Sequence, residues 1–182
     1  MVLPALLFGV VAVLVPLELG RAGWGAAAIA AAFIGSAAIE TVIAPAIGRF
    51  SDRRGRLVPV RFALAGGAVV SAGLALADGP ASVVVLLVAA SVSFGAFWAP
   101  AMALLSDAAE RIGVAQGLGF GLMNAAWGAG NTLGPSLGGT LADAAGDALP
   151  YALLAFVCLG TFLLVGRRPF AGTRTLRVPE GT

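Results

Sequence analysis

The chain has no histidine, no lysine and a single cysteine in 182 residues. Without histidine, histidine-ligated haem, histidine–zinc sites and Ser-His catalysis are excluded. One cysteine, Cys158, excludes a disulfide within the chain and any cysteine-rich metal cluster. It lies in an apolar run and reads as a small packing residue. All eleven cations are arginine, a bias that carries no function by itself. Charge of either sign is the scarcest commodity: 11% of residues are charged and 59% are apolar, against about a quarter charged in soluble domains. So few charges cannot coat a water-soluble globule of this size, and lipid is the expected solvent. The net charge of +2 does not point to nucleic acid, because the arginines gather at the ends of apolar runs. Nothing in the composition calls for a cofactor or a metal.

A spanning helix needs roughly 20 apolar residues. Apolar runs cover residues 1–19, 24–47, 58–77, 80–105, 115–142 and 148–166, which predicts an all-α membrane protein of six transmembrane helices. Short separators hold most of the charge and the turn residues. The first run lacks a basic flank and a clean small-residue cleavage site, so it reads as a helix with its upstream flank missing, not as a signal peptide. Residues 167–182 read as a basic, disordered tail.

Ten arginines fall on one side of a six-span arrangement: five in 48–61, Arg111, and Arg167, Arg168, Arg174 and Arg177 in the tail. The other side has Arg21 alone, with Glu18, Asp78, Asp143 and Asp147. The positive-inside rule then places both termini and the 48–57 loop in the cytoplasm.

That loop reads Gly48-Arg49-Phe50-Ser51-Asp52-Arg53-Arg54-Gly55-Arg56. Glycine suits a sharp turn, and Asp52 is placed to face a helix N-terminus, where a carboxylate is favoured. A generic cytoplasmic loop explains the arginines but not the G-x-x-x-D-R-x-G-R spacing of Gly48, Asp52, Arg53, Gly55 and Arg56. The segment resembles the signature loop of the major facilitator superfamily, where it joins the second and third helices of each half. In the fifth run, Gly121, Gly130, Gly134, Pro135, Gly138 and Gly139 fit G-x8-G-x3-G-P-x2-G-G, similar to the fifth-helix motif of proton-coupled drug antiporters of that superfamily. Small residues every four positions let two helix backbones approach closely, and Pro135 permits a kink.

The resemblance implies one half of a twelve-helix permease, six helices built as inverted three-plus-three repeats. A faint internal echo agrees. Gly48-x3-Asp52-x2-Gly55 recurs as Gly139-x3-Asp143-x2-Gly146, after the second and the fifth run. N-terminal halves usually carry an intramembrane arginine in the fourth helix; residues 80–105 have none. That absence, with the short basic tail, favours the C-terminal half.

Glu40 is the one charge well inside a run. It lies eight residues before Gly48, about 12 Å in at 1.5 Å per residue, near the middle of a hydrocarbon core of about 30 Å. A carboxylate there must be protonated or paired, so Glu40 is either a proton- or cation-exchanging group or a hydrogen-bonding structural one. Ser36 and Ala44 share its helix face. Asn124, Trp127, Gly128 and Asn131 fall on one face of the fifth run. Their amides either meet substrate or bridge to another helix. Phe94, Phe97 and Trp98 form an aromatic cluster that either packs or lines the path.

The leading expectation is a secondary transporter of a small solute, with proton-coupled efflux as its mode. Its partners would be the bilayer, a missing N-terminal half or a second copy of the chain, and the solute. The alternative is a non-transporting six-helix fragment or scaffold. An intramembrane aspartyl hydrolase fails because Asp107 and Asp143 fall at opposite membrane faces.

Overall fold

The computed structural model describes residues 1–55 and 57–167. Arg56 of the arginine-rich motif and residues 168–182 of the expected tail lie outside the described residues. The described chain folds into seven α-helices with no strand: α1 Val2–Arg21, α2 Ala26–Arg54, α3 Leu57–Ala75, α4 Pro80–Gly95, α5 Trp98–Ile112, α6 Gln116–Ala145 and α7 Ala148–Arg167. Five stretches are long and apolar enough to cross a membrane: α1, α2, α3, the run Pro80–Ile112 and most of α7. At 30 residues, α6 is also long enough, but its glycine, asparagine and threonine content makes it less apolar.

Six spans thus appear as seven helices because the fourth is interrupted between Gly95 and Trp98. Pro100 is the cause. It has no N–H to donate to the carbonyl four residues earlier, and its ring crowds that carbonyl. The backbone tightens there instead: Ala96 adopts φ −62°, ψ −16°, Phe97 adopts φ −70°, ψ −27°, and the Phe97 N–H donates to the Phe94 carbonyl three residues back at 3.2 Å. These are the dihedrals and bond of a 3₁₀ turn.

Three expected boundaries change. The segment expected as a cytoplasmic loop from Gly48 is helical through Arg54, so Gly48, Asp52 and Arg53 ride the last two turns of α2. A residue without special turn chemistry between Gly48 and Arg54 simply continues the i→i−4 ladder. Gly48 does not make the bend; Gly55 does, with φ +90°. The expected loop at 106–114 is likewise helical up to Ile112, and Arg167 ends α7 rather than opening a tail.

The internal echo has a backbone counterpart. Gly55 caps α2 at φ 90°, ψ 148°, and its N–H donates to Ser51. Gly146 caps α6 at φ 85°, ψ 161°, and its N–H donates to Ala142. The two longest helices therefore stop in the same way, in a conformation that L-residues with a Cβ avoid.

Packing centres on α1, whose Leu7, Val10, Leu14, Val15 and Leu19 join Leu74 of α3, Leu87 and Phe94 of α4, and Tyr151 and Cys158 of α7 in one core. The most extensive interfaces are α1 with α6 and α3 with α7. The first is made by absent side chains. A Cβ on Gly134 would lie 2.8 Å from the Leu6 carbonyl oxygen, and one on Gly130 would lie 2.6 Å from the Val2 carbonyl oxygen. At the arginine-poor end, Arg21 of α1 forms an ion pair with Asp147 before α7. In contrast, α2 buries only Ser36 and Ser51, and its outer face carries Ile34 and Val42, both more than two-thirds exposed.

Candidate functional site: an aromatic cleft around Glu40

Two adjoining cavities, of about 220 and 250 Å³, share Phe8, Glu40 and Phe94. Each wall comes from a different helix. Phe8 comes from α1, Ser36 and Glu40 from α2, Phe94 and Gly95 from α4, Trp98 from α5, and Trp127 and Asn131 from α6.

Two of the three ring pairs meet edge to face and the third is tilted. Phe8 meets Phe94 at 5.5 Å between centroids and Trp127 at 5.9 Å, and Trp98 meets Trp127 at 5.1 Å with planes at 86°. Such edge-on pairs contribute about 0.5–1.5 kcal/mol beyond their buried area, so they fix the wall as well as fill it. Phe97, in the 3₁₀ turn, completes a lining of five rings around one carboxylate.

The Glu40 side chain lies across the helix interruption. A Cβ on Gly95 would fall 2.6 Å from its carboxylate carbon, so a larger residue there would push the carboxylate from its present seat. Glu40 is partly exposed, and among the described residues no arginine lines either cavity. Ser36, one turn earlier on α2, is buried, and its hydroxyl donates to the Phe33 carbonyl at 2.8 Å.

The structure thus gathers Glu40, Trp127 and Asn131 at one cleft, with the Phe94, Phe97 and Trp98 cluster beside them. Asn124 stands apart: it is exposed and lines neither cavity. The glycine motif divides. Gly130, Gly134, Gly138 and Pro135 meet α1, whereas Gly121 and Gly139 face open space. Gly48, Asp52, Arg53 and Gly55 lie at the far end of α2, away from the cleft.

Phe8 and Gly95 were not singled out from the sequence. Phe8 is one apolar residue in an apolar helix, and nothing local marks its face. Gly95 was signalled by Pro100 five residues on, since a proline inside a helical run warns of an interruption one turn earlier.

The chain matches the Major Facilitator Superfamily over residues 1–180. It belongs to that superfamily. It is also 32% identical over 130 residues to the class D tetracycline resistance protein of Salmonella ordonez. That alignment takes in 71% of this chain and 32% of the relative, so the chain spans well under half of the relative's length. Membership makes the molecule a multi-pass membrane protein of a secondary-transport superfamily, and its helices follow half of that fold.

Proposed function

We propose that the chain is one half of a secondary permease that exports a lipophilic organic solute carrying positive charge in exchange for protons. The observation that carries this reading is a single carboxylate, Glu40, among six aromatic rings, with no arginine among the described residues of the lining. Aromatic faces attract an organic cation by about 0.5–2 kcal/mol each, and they offer nothing comparable to an anion. The carboxylate is costly to keep ionised among them. It therefore holds either a proton or the cation, and exchange of one for the other couples the two flows. The tetracycline resistance protein among the relatives supports drug-like cargo. No bond of the solute is made or broken in this scheme.

The permease would sit in the cell membrane with both termini cytoplasmic, as the arginine bias indicates. The chain would work with an N-terminal six-helix half. Asp52 would face that half, and rocking of the halves would open the cleft alternately to each side.

The test is reconstitution in liposomes with a co-expressed N-terminal half, using ethidium as the probe cation and an imposed pH gradient. Glu40→Gln should abolish gradient-driven ethidium movement and leave membrane insertion unchanged. Undiminished gradient-driven transport by that variant would remove Glu40 from the coupling. Flux from the lone chain equal to that of the pair would replace the missing half with a second copy.

A further inference from the structure

We infer that the arginine-rich end of α2, α3 and α7 holds one anionic diacyl phospholipid, its phosphate on Arg61 and its two chains in the grooves on either side of Phe62. The inference is independent of the cleft and of what it carries.

Three observations carry it. First, Phe62 of α3 stands proud of the helix surface, 67% exposed, and is the ridge between two cavities. One, of about 350 Å³, lies between Phe62 and the Phe50 and Val92 side chains; the other, of about 320 Å³, lies between Phe62 and Phe162 of α7. A paired groove with a shared apolar ridge matches a molecule with two hydrocarbon tails. Both linings are mainly apolar; Arg61 on one side and Ser93 on the other are the polar members.

Second, each groove has a wall ring that carries an arginine. The Arg61 guanidinium lies 5.5 Å over the Phe162 ring, and that of Arg54 lies 5.9 Å over Phe50. Phe50 itself meets Phe62 at 6.1 Å, so the two arginines belong to one continuous patch. A guanidinium laid on a ring keeps its N–H edge free, and that edge fits a phosphate with two parallel bonds. Arginines of the same end without such a ring, Arg49 and Arg111, are merely exposed.

Third, the depth is right. Arg61 lies four residues into α3, about 6 Å below the start of the helix at 1.5 Å per residue, and close to Gly166 near the end of α7. A side chain of that length rooted there reaches the headgroup level, and one groove, lined by Val58, Phe62, Ala65 and Phe162, lies beside it. Charge complementarity selects an anionic headgroup, and the twin grooves select a lipid over a free phosphate.

Native mass spectrometry of the delipidated full chain tests this, with dioleoyl phosphatidylglycerol and dioleoyl phosphatidylcholine added separately. Phosphatidylglycerol should occupy one site at about tenfold lower concentration, because its phosphate has no choline cation to compete with the arginine. Arg61→Gln should bring phosphatidylglycerol to the level of phosphatidylcholine. Phe62→Ala should weaken both lipids alike, while Arg49→Gln and Arg111→Gln leave both unchanged. Equal occupancy by the two lipids would overturn the proposal. So would a loss in Arg49→Gln as large as in Arg61→Gln, which would mean that charge at this end acts diffusely, or full retention of both lipids by Phe62→Ala.

Discussion

Gly134 is a position where one added carbon should matter. A Cβ there would lie 2.8 Å from the Leu6 carbonyl oxygen and 3.1 Å from the Gly9 Cα. Both neighbours are backbone, so no rotamer change relieves the clash. A carbon–oxygen contact settles at about 3.3–3.6 Å, so α1 and α6 must part by roughly 0.5 Å. A gap of that size forfeits about a quarter or more of each dispersion well it touches, along the most extensive interface of the bundle. Overpacking of this kind costs about 1–3 kcal/mol. Gly139 on the same helix is the control, because a Cβ there meets nothing within 4 Å. Gly139→Ala should instead stabilise α6 by about 0.5–1 kcal/mol through helix propensity. The measurement is unfolding of the purified chain in mixed micelles, followed by circular dichroism as the denaturing detergent fraction rises. If Gly134→Ala unfolds at the same fraction as Gly139→Ala, the backbone-contact account of the α1–α6 interface is wrong.

Cysteines placed at Arg54 and at Asp78 in a Cys158→Ala background should react with impermeant maleimide from opposite faces of oriented vesicles; reaction from one face only would break the six-span arrangement. Pro100→Ala should restore an i→i−4 bond at the fourth span and raise the unfolding midpoint, while slowing transport by the reconstituted pair if the 3₁₀ turn is a hinge. Equal transport rates for Pro100→Ala and the unaltered chain would rule out the hinge. Arg21→Ala should change stability by less than about 1 kcal/mol in the same unfolding measurement, because exposed ion pairs contribute little and the Arg21 side chain is 59% exposed. A larger loss would make the Arg21–Asp147 pair a structural latch.

What could be read in the sequence follows from how lipid acts as a solvent. Helices announce themselves by apolar length, and the six runs matched the rods to within a few residues, save where α2 and the fourth span run on. Which face of each rod packs was not legible, because lipid accepts an apolar side chain as readily as protein does. Val70 is buried and Val42 is 78% exposed, yet hydropathy treats them alike. The glycine stripe announced close approach by its spacing but could not name its partner. Nothing near residues 130–138 points to residues 5–10, more than a hundred positions earlier. The same distance hid Phe8 from the cleft. Glu40 was legible because a lone charge in an apolar run is conspicuous wherever it faces, but its seat against Gly95 needed the three-dimensional contact.

The polar groups of α6 argue for what the proposed permease still lacks. Its exposed hydroxyls need no outside partner. Thr132 donates to the Gly128 carbonyl at 3.0 Å, Ser136 to Thr132 at 2.9 Å and Thr140 to Ser136 at 2.9 Å. Each bonds its own helix four residues back, which makes a hydroxyl tolerable against lipid. An asparagine amide has two donors and two acceptor sites, more than one backbone carbonyl can satisfy. Asn124 and Asn131 are both exposed on this helix, and Asn131 borders the cleft of Glu40. Facing hydrocarbon, each would leave several bonds unmade at about 1–3 kcal/mol apiece. Facing water or a second polar wall, each would be satisfied. In the proposed permease the cleft would then form one side of an aqueous path, and the second half would cover the side that α2 and α6 leave open.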